Sequence, residues 1–162
     1  MQTDLPERNL PGQGGDELFG VLGTRMSPTD PEVEKMREAA RAAMKNAYCE
    51  YSGFPVGAAV LTGAGEVFVG CNVENASYGL TMCAERNALF QAVAQGHRDL
   101  KAVVVVTLTE KPTTPCGACR QAINEFNPAA EIFCFAENNV VEQFKLSELL
   151  PRAFGPRNLG RG

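Results

Sequence analysis

Apolar positions along this chain repeat first with a helical period and then with the shorter period of strands. Val33, Met36, Ala40 and either Ala43 or Met44 recur at helical spacing. Asp30-Pro31 supplies an N-cap and a first-turn proline, and Glu32 and Glu34 follow near the positive end of the helix. A helix is therefore predicted from residue 31 to about Tyr48, ahead of Ser52-Gly53. Residues 54–61 read as a strand, Thr62-Gly63-Ala64-Gly65 as a hairpin turn, and 66–74 as the partner strand. A second helix is predicted over 81–95, starting at or near Cys83. Its buried stripe is Ala88, Leu89, Ala92 and Val93, and Gly96 ends it. Residues 102–108 are apolar on consecutive positions and Val-rich, the mark of a strand covered on both faces. A helix over 116–126 closes at Asn127-Pro128. Strands at 131–136 and, at an edge, 140–144 follow, then a helical turn at 147–150 before Pro151. This order predicts an α/β fold, a three-layer α/β/α sandwich around a mixed five-stranded sheet.

The first thirty residues break the pattern. Pro11-Gly12-Gln13-Gly14-Gly15 opposes regular structure, and Leu18-Phe19-Gly20-Val21-Leu22 is the only apolar patch there. Residues 1–30 are expected to form a disordered extension that docks through that patch, with Met26 as an alternative start. Residues 31–162 are expected to form the one folded domain.

Composition narrows the function. The chain has 162 residues, 44% hydrophobic and 21% charged, which suits a single soluble domain. A net charge of -4 gives no basic face for nucleic acid. No apolar run is long enough to cross a bilayer, and the N-terminus lacks the pattern of a secretory signal. Six cysteines without such a signal point to metal or redox chemistry in a reducing cytoplasm rather than to disulfides.

The chemistry concentrates in two clusters, Cys83-Ala84-Glu85-Arg86 and Pro115-Cys116-Gly117-Ala118-Cys119. A structural zinc site closes with four protein ligands, whereas a catalytic one keeps three and leaves a position for water. Cys83, Cys116 and Cys119 fall at helix beginnings, where the helix dipole favours the thiolate a metal requires. Glu85 is placed to move protons for a bound water. Three thiolates on zinc(II) leave an excess negative charge, and Arg86 is placed to offset it by reaching a sulfur. The plain alternatives are a buried small hydrophobe for Cys83, a structural knuckle for Cys116 and Cys119, and a surface ion pair for Arg86. Cys49, Cys71 and Cys134 read as such small hydrophobes, and His97, the only histidine, reads as a solvated residue at a helix end.

At these residues the chain resembles the zinc-dependent nucleoside deaminases, and Cys rather than His as first ligand resembles the cytidine deaminase branch. The resemblance extends to Tyr51-Ser52-x-Phe54-x-Val56-Gly57-Ala58-Ala59, Gly70-Cys71-Asn72-Val73-Glu74-Asn75-Ala76-Ser77-Tyr78, Cys116-Gly117-Ala118-Cys119-Arg120-Gln121 and Leu149-Leu150-Pro151-x-x-Phe154. It implies one zinc ion per subunit and Glu85 as the catalytic acid and base. It further implies Asn72 and Glu74 on the ribose, Phe54 stacked on the pyrimidine, and the Ala84 N–H on the ring carbonyl. By the same resemblance Tyr78 and Phe154 enter a neighbouring subunit's pocket in a homotetramer. The implied reaction is hydrolytic deamination of cytidine and deoxycytidine to uridine and deoxyuridine, in pyrimidine salvage. A modified nucleoside as substrate, a zinc-stapled binding module and a Cys-x-x-Cys redox protein are the competing readings. Asn72-Val73-Glu74 weighs against the first and Glu85 against the last.

Overall fold

The computed structural model describes residues 25–160. Its elements in chain order are α1 (Pro31–Met44), β1 (Val56–Thr62), β2 (Val67–Cys71), α2 (Ala84–Ala94), β3 (Leu100–Thr107), α3 (Gly117–Phe126), β4 (Glu131–Phe135), β5 (Val141–Lys145) and α4 (Leu146–Leu149). Short 3-10 turns lie at Tyr78–Leu80 and Pro156–Leu159. The five strands form one mixed sheet in the order β2-β1-β3-β4-β5. Only β3 and β4 run parallel, because the chain crosses over through α3 between them.

β3 sits at the centre, and its side chains alternate between two cores. Val103 and Val105 face the side covered by α2 and α3, together with Leu89, Ile123 and Ile132. Ala102, Val104 and Val106 face α1, together with Val33, Met36, Phe133 and Phe135. Each fully buried valine contributes about 1.5–3 kcal/mol. This two-sided burial is the three-layer α/β/α sandwich read from the consecutive valines.

Several boundaries differ from the sequence pattern, for tertiary reasons. α1 ends at Met44 rather than near Tyr48, since Tyr48 N–H donates to the Asn72 carbonyl and the Tyr48 carbonyl accepts from Glu74 N–H. That pairing also stops β2 at Cys71 instead of Glu74, and Val73 forms bridges with Tyr48 and Met82. The hairpin turn is as expected, with Gly65 at φ 85° and the Thr62 N–H bonded to the Glu66 carbonyl. Gly96 ends α2 in the left-handed region, at φ 95°. His97 is not freely solvated. It pairs with Glu66 and packs its ring against Phe68, centroids 5.2 Å apart.

Two glycines let helices touch the sheet. A Cβ on Gly57 would lie 2.0 Å from the Ala40 carbonyl oxygen of α1, and one on Gly70 would lie 2.5 Å from the Ala84 carbonyl oxygen of α2. The second contact seats the first turn of α2 directly on β2.

Of the predicted N-terminal extension, residues 1–24, which include the 18–22 patch, lie outside the described residues. Residues 25–30 are part of the folded unit. Met26 is buried in the α1-side core, its carbonyl accepts from Gln143 Nε2, and Arg25 pairs with Glu131. Among the described residues no helix is long and apolar enough to cross a membrane.

Candidate active site

The C-terminal end of β3 faces the first turns of α2 and α3, the crevice where ligands bind in open α/β sheets. Cys83 is the N-cap of α2, and Cys116 is the N-cap of α3 with Cys119 one turn further on. Both helices therefore present their positive ends to the same point. All six cysteines are free.

Cys83, Cys116 and Cys119 place their sulfurs within 4.8 Å of one another, the one such cluster among the described residues. Cys83 and Cys116 Sγ are 3.8 Å apart, and Cys116 and Cys119 Sγ are 3.6 Å apart. Tetrahedral Zn–S bonds of about 2.3 Å require sulfurs roughly 3.8 Å apart, so the trio is already spaced for zinc. Arg86 Nη2 donates to Cys83 Sγ at 3.5 Å, while its buried Nε has no partner among the described residues. A cation held beside three sulfurs, even with one donor unsatisfied, suits a centre that is net negative when loaded.

The electrostatics of the trio point the same way. The Cys83 thiol is drawn down to about 5, first by a hydrogen bond from the Cys119 thiol and then, against burial, by Arg86 and Cys116. Cys119 is pushed up as the partner that holds the proton, with burial adding to the effect. The arrangement thus favours the thiolate of Cys83 at the head of α2.

Glu85 follows in the first turn of α2 and is only 5% exposed. Burial raises its pKa, and the Cys83 charge raises it further. That is the direction a proton shuttle needs near neutral pH.

A cleft of about 340 Å³ joins these residues to most of the sequence-predicted set. This falls in the range of small-molecule sites, about 300–1,000 Å³. Phe54, Asn72, Glu74, Ala84 and Glu85 line it with Cys83 and Cys116. Phe54 is not a core residue but 39% exposed at the cleft. Ala84 opens α2, so its N–H has no intrahelical acceptor.

Asn72 and Glu74 meet the cleft from an irregular segment rather than a strand end, and each is held by the chain opposite. Asn72 Nδ2 donates to the Phe54 carbonyl at 2.9 Å and its Oδ1 accepts from Val56 N–H at 2.8 Å. An amide can form four such bonds, so two remain for a ligand. Glu74 accepts from Tyr51 N–H, Ser52 N–H and Ser52 Oγ. The Ser52 hydroxyl is the main reason its carboxyl lies below the usual range.

Tyr78 lies in an adjoining hollow with Tyr51 and Glu74, edge-on to Tyr51 at 5.8 Å. Phe154 lies outside the cleft of its own chain. It is 60% exposed, and its carbonyl accepts from Gln121 and Asn124. The sequence reading missed Ser52, Thr81, Thr107, Thr113 and Thr114, which also line the cleft. Thr107 had a usable signal, since it ends the covered parallel strand. The others line the cleft from connecting segments, which have no periodicity to read.

Comparison with known proteins agrees with this geometry. Residues 31–136 match the family described as "Cytidine and deoxycytidylate deaminase zinc-binding region". A cytidine deaminase of Sporosarcina psychrophila is 45% identical over 129 residues, covering 79% of this chain and 95% of that protein. One from Mycobacterium tuberculosis is 39% identical over 132 residues, covering 82% and 96%. The crystal structure of cytidine deaminase from Burkholderia pseudomallei superposes with a TM-score of 0.73 at 49% identity, covering 75% of this chain and 98% of that one. The zinc-spaced thiols and the buried glutamate thus fall within a matched region that spans most of the fold, and the chain belongs to the cytidine and deoxycytidylate deaminase zinc-binding family.

Proposed function

We propose that this protein deaminates cytidine and deoxycytidine hydrolytically, giving uridine or deoxyuridine and ammonia. The observation that carries the reading is the burial of Glu85 beside three zinc-spaced thiols in a cleft that also holds Phe54, Asn72 and Glu74. Cys83, Cys116 and Cys119 hold one zinc ion per subunit, which when bound supplies a Lewis acid that acidifies a water molecule. Phe54 stacks on the pyrimidine, the Ala84 N–H binds the ring carbonyl, and Asn72 with Glu74 holds the ribose hydroxyls. Glu85 takes a proton from the water and delivers it to ring N3 as the water oxygen adds to C4. It then takes the remaining proton of that oxygen and passes it to the exocyclic amine, which leaves as ammonia. Arg86 neutralises part of the sulfur charge and so preserves the acidifying power of the centre.

Tyr78 and Phe154 serve a neighbouring subunit's pocket in a homotetramer. Their exposure of 75% and 60%, and the position of Phe154 outside its own cleft, support this role. The catalytic domain begins with residues 25–30, which pack onto the 31–162 segment through Met26, and only the residues before them are left as an extension. The free thiols fit a reducing cytoplasm, and the reaction class fits pyrimidine salvage.

An ultraviolet assay with cytidine, deoxycytidine and free cytosine, paired with metal analysis, tests the proposal. The expected result is turnover of both nucleosides, none of the base, and one zinc per chain. A metal-free protein of full activity would overturn it. The competing zinc-staple reading needs a fourth protein ligand, and the cluster offers three among the described residues.

A further inference from the structure

Cys116 has little packing to fix its sulfur. It is exposed, and among the described residues its sulfur has hydrogen-bond-range contacts only with the Cys83 and Cys119 sulfurs. The precision that zinc ligation requires must come from elsewhere in this half of the site.

Arg120, next in sequence to Cys119, supplies it. Its guanidinium donates in three directions: Nε to the Pro115 carbonyl at 2.7 Å, Nη2 to Thr114 Oγ1 at 2.8 Å and Nη1 to the Leu149 carbonyl at 2.9 Å. The first two bonds fix the loop that leads into Cys116. From the other side a chain of hydroxyls, Thr107 to Thr109 at 2.6 Å and Thr109 to Thr113 at 3.3 Å, ties that loop to the end of β3. The third bond reaches the end of α4. Beyond it Gln121 Nε2 and Asn124 Nδ2 both donate to the Phe154 carbonyl, at 2.9 and 3.3 Å. One face of α3 therefore grips the approach to a thiol ligand and the chain's C-terminal segment together.

We propose that Arg120 is a positioning residue for the metal: it sets the Cys116 thiolate and couples zinc loading to docking of residues 149–155. Three bonds made by one rigid fork cannot be reproduced by an ammonium group. Because the coupling is an equilibrium, it acts both ways: zinc steadies the segment and the docked segment retains zinc. The inference rests on Cys116 being a ligand, so zinc content of the full chain and of Cys116→Ala is measured first. Undiminished zinc in Cys116→Ala would overturn the site assignment itself, independently of Arg120.

The test is the rate of zinc release from the loaded full-length protein to a chromophoric chelator, well below its melting temperature. Arg120→Ala is expected to release zinc about 10- to 100-fold faster, the usual cost of losing a group that orients a ligand. Arg120→Lys should recover little of this. Val33→Ala, on α1 across the sheet, is the control that lowers stability without touching the loop. Amide exchange over 149–155 is expected to quicken in Arg120→Ala, and equally when zinc is removed from the unaltered protein. If Arg120→Ala does not fold, Gln121→Ala/Asn124→Ala replaces it and should lose the zinc-dependent protection of 149–155. Zinc release at the unaltered rate, release matched by Val33→Ala at equal loss of melting temperature, or exchange over 149–155 indifferent to zinc in the unaltered protein would each overturn the proposal.

Discussion

α2 and α3 both begin on a cysteine that faces the same point, yet they are held there differently. α2 is seated by close packing: its first turn touches β2 where only the absent side chain of Gly70 leaves room, and Ala84, Glu85, Ala88 and Leu89 are buried. α3 is seated at its start by hydrogen bonds from Arg120, with Cys116 left exposed at the cleft. The helix that carries Glu85 thus gains both a fixed position and a raised carboxyl pKa from the same burial. On the proposed assignment α3 only supplies metal ligands, so it needs a fixed position alone, and polar clamps give that without closing the cleft.

The sharpest way to break this contrast is to alter the chemical half without moving it. Glu85→Gln is expected to keep zinc and lose about 10²–10⁴-fold in turnover. Near-normal turnover in a zinc-loaded variant would remove Glu85 from its role. Next in size is the packing of α2. Gly70→Ala should destabilise the fold by about 1–3 kcal/mol, through overpacking against the Ala84 carbonyl. Gly117→Ala, in the first turn of α3 where an added Cβ meets nothing within 4 Å, should stay within about 0.5 kcal/mol. Equal losses in urea denaturation would show that both helices are seated alike.

A third effect separates stability from function. A carboxyl with a raised native pKa stabilises the fold below its unfolded pKa, and that contribution is lost as pH rises through the native value. Metal-free Glu85→Gln should therefore be more stable than the metal-free unaltered protein at alkaline pH, where the buried carboxyl would have to ionise. The two should converge in acid. Thermal melts across pH check the crossing, and a constant difference would contradict it. The smallest effect is expected at the far side of the cleft. Ser52→Ala removes the main donor that lowers the Glu74 carboxyl, so the acid limb of the KM profile should move to higher pH. KM should rise a few-fold with kcat nearly unchanged; a loss confined to kcat would place Glu74 elsewhere in the mechanism.

Local signals made the helix starts legible. Asp30 takes the N-cap position and Pro31 the first position of α1, although the Asp30 carboxylate accepts from Ser27 N–H rather than from the helix, and Cys83 and Cys116 stand immediately before α2 and α3. The consecutive valines of β3 announced a strand buried on both sides. The loops that flank the β1–β2 hairpin were less legible, since Tyr48, Val73 and Met82 pair across loops rather than along strands. The cleft threonines were missed for a related reason. Thr81, Thr113 and Thr114 sit outside helices and strands, where no residue type or period marks which hydroxyl will face a ligand.

By itself the sequence determined the layers of the fold, the thiol-and-carboxylate chemistry, and the helix ends that would carry it, because capping and periodicity act over a few residues. Tertiary structure alone decided that three sulfurs from two helices stand at zinc spacing, that Glu85 is sealed beside them, and that Arg120 bridges the metal loop to the C-terminal segment. Those are distances between elements far apart in the chain, and they exist only once packing on β3 and β2 has fixed where each helix begins.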